Sequence, residues 1–217
     1  MRVADYVAKY LKSLGVNEVF MLTGYGAMYL NDAIKLSGIK YYATRNEATA
    51  PIMAESYARI KKKIGVDPYS GGNFKGTSDE FFSKNNDFFD CIFIDGLHTY
   101  HQVKKDIYNS LNCLNENGVI FIHDCLPNNV YAQAVPRCQF NWNGTVWKAI
   151  VEFRTKEEFD TYTCYADQGV GIILKRKNRN KLDIKIDNFS KLKFSSFFKN
   201  HKEFMNIIEH QELKTLF

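Results

Sequence analysis

The sequence predicts an α/β protein: a mostly parallel sheet with helices on both faces and an antiparallel strand pair near the C-terminal end. Three observations carry that expectation. Phe89–Ile94 and residues 119–122 are short apolar runs, the pattern of strands buried on both faces. Between them Tyr100, Val103, Ile107, Leu111 and Leu114 recur at helical spacing, so the two strands read as parallel neighbours joined by a crossover helix. Polar residues close both strands, Asp95-Gly96 after the first and His123-Asp124 after the second. That is the edge at which open, Rossmann-like α/β sheets place their ligands.

The other elements follow in chain order. Val3, Val7, Tyr10, Leu11 and Leu14 form a helical stripe ended by Gly15. Residues 19–22 read as a strand, 23–26 as a turn, 27–36 as a helix stopped by Gly38, and 39–43 as a second strand. Asn46 or Thr49 caps a helix running to Ile60, and Pro51, tolerable only in a first turn, favours Thr49. Lys61-Lys62-Lys63 marks a join. Residues 64–67 are a strand ending in an acid, followed by a loop over 68–72. Thr77 and Glu80 have capping-box spacing, as do Thr99 and Gln102 ahead of the crossover helix, which Asn117-Gly118 closes. Residues 160–165 and 169–176 form the final strand pair. Residues 175–181 read as a basic, solvated loop, and Phe194, Phe197 and Phe198 as a group packed on the main domain. Two domains are expected, 1–60 and 61–217.

Composition narrows the partners. The net charge of +5 over 217 residues is mild. Residues 1–60 carry 7 basic and 5 acidic side chains, leaving 22 and 19 of the totals of 29 and 24 for the remainder. Neither part is polarised, and no recognition motif is present, so a nucleic-acid partner is not expected. No apolar run reaches the ~18 residues of a membrane span. Residues 1–10 mix acid and base without an apolar run, so a secretory signal is not expected either. The five cysteines, 91, 113, 125, 138 and 164, include no C-x-x-C pair, and Cys91 and Cys113 fall in predicted core elements. That usage fits a reduced, cytoplasmic protein. The oligomeric state is open, a homo-oligomer included.

Two resemblances divide the chain at the join. Val3-Ala4-Asp5-Tyr6-Val7, Val19-Phe20-Met21-Leu22-Thr23-Gly24, Leu30-Asn31-Asp32-Ala33, Asn46-Glu47-Ala48 and Ala54-Glu55-Ser56-Tyr57-Ala58-Arg59 resemble the start of the pyrimidine-binding domain of thiamine-diphosphate enzymes, nearest to acetolactate-synthase-like proteins. The resemblance implies that Glu47 would hydrogen-bond the cofactor's aminopyrimidine, with Asn46 where that family usually has histidine. The family's Gly-Asp-Gly motif for magnesium and diphosphate is nowhere in the chain. The residues alone also allow Glu47 to be a carboxylate favoured by a helix N-terminus.

From Gly65-Val66-Asp67-Pro68 onward the chain resembles class I S-adenosylmethionine-dependent methyltransferases of the kind found with capsule and glycan genes. Gly71-Gly72, Thr77-Ser78-Asp79-Glu80-Phe81-Phe82, Phe93-Ile94-Asp95-Gly96-Leu97-His98-Thr99-Tyr100, Gly118-Val119-Ile120, His123-Asp124, Trp142-Asn143-Gly144, Val146-Trp147-Lys148 and Gly169-Val170-Gly171 carry it. It implies that Asp67 accepts hydrogen bonds from the ribose of S-adenosylmethionine and that Ser78 and Asp79 lie near its adenine. Asp67 could equally be a turn residue before proline, and Thr77–Glu80 simply a cap. That family opens with a strand and a glycine-rich loop, which would precede Ile64. Here residues 19–22 followed by Gly24-Tyr25-Gly26 are the only strand–Gly-x-Gly unit in that place.

Asp95, His98, His123 and Asp124 admit several chemistries. Asp95 and Asp124 could hold Mg²⁺, which would orient an acceptor hydroxyl and lower its pKa, with Asp95 also facing the cofactor. His98 or His123 could be the base that takes the hydroxyl proton, with Asp124 beside it. All four could also be ordinary hydrogen-bonded loop residues. Trp142 and Trp147 could line an acceptor pocket or be core, and Arg137 could meet an anionic acceptor or solvent. The expected activity is O-methylation of a small-molecule or glycan acceptor. The alternatives are a thiamine-diphosphate enzyme fragment needing a partner chain, and a non-catalytic fusion remnant.

Overall fold

The structure is a computed structural model that describes residues 2–13, 16, 18–22, 28–44 and 64–216. The chain divides into two compact units, Met1–Lys63 and Ile64–Phe217.

The first unit contains α1 (Val3–Ser13), β1 (Glu18–Leu22), α2 (Met28–Ser37) and β2 (Lys40–Thr44). β1 and β2 pair in parallel from Glu18–Lys40 to Leu22–Thr44, as the helix between them requires. Ala8, Ala33, Ile34 and Ile39 form the core, with Leu11, Val19 and Met21 packed against them. Gly38 stops α2 at φ +73°, a conformation open to glycine without a Cβ penalty. The expected turn over 23–26, the helix from Asn46 or Thr49 to Ile60, Glu47 and the lysine join all lie outside the described residues.

The second unit holds β3 (Val66–Asp67), β4 (Phe74–Lys75), α3 (Ser78–Lys84), β5 (Phe89–Ile94), α4 (Tyr100–Asn112), β6 (Leu114–Ile122), α5 (Val146–Arg154), β7 (Asp160–Cys164), β8 (Val170–Leu174), α6 (Phe194–Met205) and β9 (Ile207–Ile208). β3 and β4 form their own parallel pair, and the remaining five strands form a sheet in the order β5-β6-β8-β7-β9. β5 and β6 are parallel, β8 is antiparallel to both β6 and β7, and β9 is parallel to β7. Four strands therefore run one way and β8 alone runs back, so the sheet is mostly parallel and β7–β8 is the antiparallel pair.

Strand alternation sorts the side chains onto two faces. Ile120, Ile122 and Ile173 point to the face covered by α4, α5 and α6, where they meet Val103, Ile107, Trp147, Ile150, Phe197 and Met205. Val119, Ile172 and Leu174 point the other way, beneath the 3₁₀ helix His210–Thr215, which supplies Leu213 and is followed by Leu216. Cys91 and Phe93 share that second face on the outermost strand and are exposed, so Cys91 is not the core residue the sequence suggested.

Helix ends also differ from expectation in part. Thr77 forms the expected capping box: its hydroxyl accepts from the Glu80 N–H while Glu80 accepts from the Thr77 N–H. Thr77→Ala will lower stability by about 1 kcal/mol, read as a shift of the urea midpoint at constant slope. Thr99 makes no such cap, because Gln102 reaches instead to Ser78, Asp79 and Asp106. The first free donor of α4, Tyr100 N–H, is met from outside by the Thr145 hydroxyl at 2.8 Å. α4 also ends at Asn112, before Asn117-Gly118, since Leu114 has already joined the sheet opposite Phe89. The four residues 115–118 bulge against Asp90 before pairing resumes at Cys91–Val119.

Residues 175–181 are mostly exposed, as a solvated loop would be, yet the loop is pinned at Arg176, Asn178 and Arg179. Fully buried Asp160 accepts from Arg176 Nε at 2.9 Å and from the Arg179 N–H at 3.1 Å. Asn178 is buried and donates to the carbonyls of Arg154 and Lys156.

Candidate active site

Parallel register builds the site. Ile94 pairs with Ile122, so the residues that follow, Asp95 and His123, leave the sheet side by side. His123 N–H still donates to the Ile94 carbonyl at 3.0 Å. The turn through Gly96 brings His98 back over the strand ends before α4 begins. Asp124 adopts φ +62°, a left-handed conformation that aspartate tolerates better than most residues and that folds it under the two histidines.

The four residues selected from the sequence converge. His98 Nε2 lies 3.4 Å from Asp95 Oδ1, and His98 Nδ1 lies 3.2 Å from Asp124 Oδ2. His123 Nδ1 lies 3.3 Å from Asp95 Oδ1 and 3.5 Å from Asp124 Oδ2. Two imidazoles thus alternate with two carboxylates. Asp124 is buried, and both histidines are largely covered.

The environment shifts these groups in directions that follow from the geometry. Burial opposes charge on His98, but hydrogen bonds to Asp95 and the Trp142 carbonyl, with the charges of Asp124 and Asp95, raise its pKa overall. Burial likewise opposes charge on His123, and Asp167, Asp124 and Asp95 together raise it. The hydrogen bond from His98 leads the causes that hold Asp95 below the ordinary carboxylate range, against its partial burial. Burial pushes Asp124 up, with both histidines pulling the other way.

Two further contributors were not chosen from the sequence. Asp167 sits at φ +49° in the β7–β8 hairpin turn and meets His123 Nε2 at 2.9 Å. β8 runs antiparallel to β6, with Gly171 opposite Ile122, so its hairpin turn lands at the same sheet edge. The strand pair was legible, but the register that delivers Asp167 was not. Asn143, buried, donates from Nδ2 to Asp124 Oδ1 at 3.0 Å. Only its place in the Trp142-Asn143-Gly144 motif signalled it.

Other expected site residues fall elsewhere. Asp67, half-buried at the end of β3, accepts the N–H groups of Tyr69 and Ser70 on Oδ1, at 2.7 and 2.6 Å. This is an Asx turn, and those donors lower its pKa. Ser78 and Asp79 open α3, where both accept from Gln102 and Asp79 also takes Lys105 Nζ at 2.7 Å. The two tryptophans separate: Trp142 stacks on His98 with ring centroids 5.2 Å apart, whereas Trp147 is fully buried against Phe197 and Phe194. Arg137 turns back on its own loop, onto the carbonyls of Gln139 and Phe140. No helix among the described residues is long and apolar enough to cross a membrane.

Among the described residues, Asp95, His98 and Asp124 can each offer one ligand atom, all within 4.8 Å of one another. The donor set suits a hard divalent cation: two carboxylate oxygens and one imidazole nitrogen, with room for water on the exposed Asp95 side.

Comparison with known proteins gives matches of two kinds. Residues 1–72 match the family described as "Thiamine pyrophosphate enzyme, N-terminal TPP binding domain". Over 72 residues the chain is 31% identical to the acetolactate synthase large subunit of Mycobacterium tuberculosis, a match covering 33% of this chain and 13% of that protein. Over 68 residues it is 37% identical to 2-hydroxyacyl-CoA lyase 2 of Caenorhabditis elegans, covering 31% of this chain and 11% of that protein. The chain thus spans a small fraction of the curated relatives it matches. Among solved structures, an SAH-bound methyltransferase of Podospora anserina aligns with 80% of this chain and 78% of its own, at 12% identity and a TM-score of 0.39.

Proposed function

We propose that the second unit is an S-adenosylmethionine-dependent O-methyltransferase acting on a hydroxyl of a small-molecule or glycan acceptor. The observation that carries the reading is the convergence of Asp95, His98, His123 and Asp124 at the ends of two adjacent parallel strands. The ordered motifs from Gly65 to Gly171 supply the donor and the reaction class.

In this reading the acceptor hydroxyl lies over the strand ends. Its proton passes to a histidine as its oxygen attacks the donor methyl, and the carbon–sulfur bond breaks with the electron pair going to sulfur. His98 is the better base, since the Nε2 of His123 is already held by Asp167. Asp95 and Asp124 stabilise the imidazolium that forms. A divalent cation such as Mg²⁺ held by Asp95 and Asp124, with the His98 lone pair left free for the proton, would supply Lewis acidity toward the acceptor oxygen. Asp67 holds the donor's ribose.

The test is calorimetric titration of the purified chain with S-adenosylhomocysteine, with Mg²⁺-thiamine diphosphate as the comparison. Binding in the micromolar range, about −8 kcal/mol, is expected. Asp67→Asn is the informative variant, because an amide oxygen keeps the turn to Tyr69 and Ser70 while the charge toward ribose is lost. It is expected to weaken binding at least tenfold. A folded protein that binds no S-adenosylhomocysteine would overturn the reading.

The match over residues 1–72 favours a second reading, a thiamine-diphosphate-binding segment that works with another chain. It predicts Mg²⁺-thiamine diphosphate binding that Glu47→Gln abolishes.

A further inference from the structure

We infer that the segment 142–145 is the positioning element of this site, setting which nitrogen of His98 and which oxygen of Asp124 face a ligand. The inference rests on the site reading above and adds residues to which that reading gives no role.

Each of the four residues makes a different contact. The Trp142 carbonyl lies 3.0 Å from His98 Nδ1, and the Trp142 indole stacks on the same imidazole. That indole is itself fixed, its Nε1–H donating to the Ala134 carbonyl at 2.6 Å. Asn143 grips Asp124 Oδ1 from the buried side. Gly144, at φ +60°, packs directly on the His98 backbone, where any Cβ would collide with the His98 carbonyl oxygen. The Thr145 N–H donates to that carbonyl at 2.9 Å, and the Thr145 hydroxyl holds the Tyr100 N–H. Backbone, ring and carboxylate are thus located by one short stretch.

The chemical consequence is a choice of atoms. A carbonyl can only accept, so Nδ1 carries the proton in the neutral imidazole. Two acceptors support that placement, at 3.0 and 3.2 Å, against one at 3.4 Å for Nε2. His98 therefore presents the Nε2 lone pair. Asn143 engages Oδ1 of Asp124 and so turns Oδ2 toward the histidines. Outer contacts of this kind orient the groups that hold a metal or move a proton.

Two measurements on the full chain test this. In the first, ¹⁵N-labelled imidazole spectra are recorded at a pH where the histidines are neutral, with His98→Gln used only to assign the resonance. An unprotonated Nε2 and a protonated Nδ1 at His98 are expected. The opposite tautomer overturns the inference. In the second, Mn²⁺ alone is titrated into wild type, Asn143→Ala and Asn143→Ser. Asn143→Ala is expected to weaken Mn²⁺ about tenfold or more, and Asn143→Ser, which keeps a donor, to restore part of the loss. Unchanged affinity in Asn143→Ala overturns the assignment of Asn143. If wild type binds no Mn²⁺, the cation reading fails and the tautomer alone decides whether the segment positions His98. If Asn143→Ala does not fold, the wild-type tautomer again decides.

Discussion

Trp147→Ala will unfold at a much lower urea concentration than wild type, at a cost of about 3–5 kcal/mol. The indole is fully buried among α4, α5 and α6. Its ring centroid lies 4.6 Å from that of Phe197 and 6.4 Å from that of Phe194, so the indole packs α5 against α6. Removing it leaves a cavity between two helices whose facing residues, among them Ile150 and Met205, are also buried and close-packed. The indole Nε1–H has no hydrogen-bond partner among the described residues, so part of the loss is offset when that polar atom goes. Trp147→Phe, which keeps most of the volume and removes the donor, is therefore expected to cost much less than Trp147→Ala. The measurement is equilibrium urea unfolding by circular dichroism. Equal costs for the two variants would mean that the ring is not core.

Under the proposed cation reading, Asp124→Asn is expected to weaken Mn²⁺ binding by about 100-fold or more, beyond the ~10–100-fold that changes in outer contacts produce. Asparagine suits the φ of +62° and can still accept from Asn143, so the fold is expected to survive and the effect to be electrostatic. The same substitution changes how stability depends on pH. His98 and His123 have raised folded-state pKa values, so their charged forms stabilise the fold fully below the unfolded value near 6.5. That contribution is lost as pH rises through the raised folded values. Asp124 is also raised, by burial, so its carboxylate weakens the fold as pH climbs through its own range. Wild type should therefore lose stability from slightly acid to slightly alkaline pH. Asp124→Asn, lacking the anion that draws both histidines upward, should show a shallower loss. Urea midpoints at several pH values, with histidine resonances followed by NMR, will measure this. Parallel pH profiles for the two proteins would show that Asp124 does not couple to the histidines.

The crossover unit, and with it most of the candidate site, is legible in the sequence. Apolar runs at Phe89–Ile94 and 119–122 with a helical stripe between them admit little besides two parallel strands. Once those strands are neighbours, the residues after each end must meet, which is why the sequence alone brings Asp95, His98, His123 and Asp124 together. The capping box at Thr77 was legible for a similar reason, because it depends on a spacing of three within one turn.

Contacts across longer separations belong to tertiary structure alone. Gln102 has the spacing of a cap, but Ser78, Asp79 and Asp106 compete for its amide, and Thr145 caps α4 from 45 residues away. Leu114 continues the helical stripe, yet pairing with Phe89 draws it into the sheet. Asp167 reaches His123 only because β8 runs back along β6 in one register, and local composition does not encode that register. The two tryptophans, five residues apart, part for the same reason. One precedes α5 and lies on His98, and the other faces inward from its first turn. Local pattern specifies elements and the strand ends they share, whereas the partner of each polar group is decided by which distant donors and acceptors the packed helices and strand registers bring within reach.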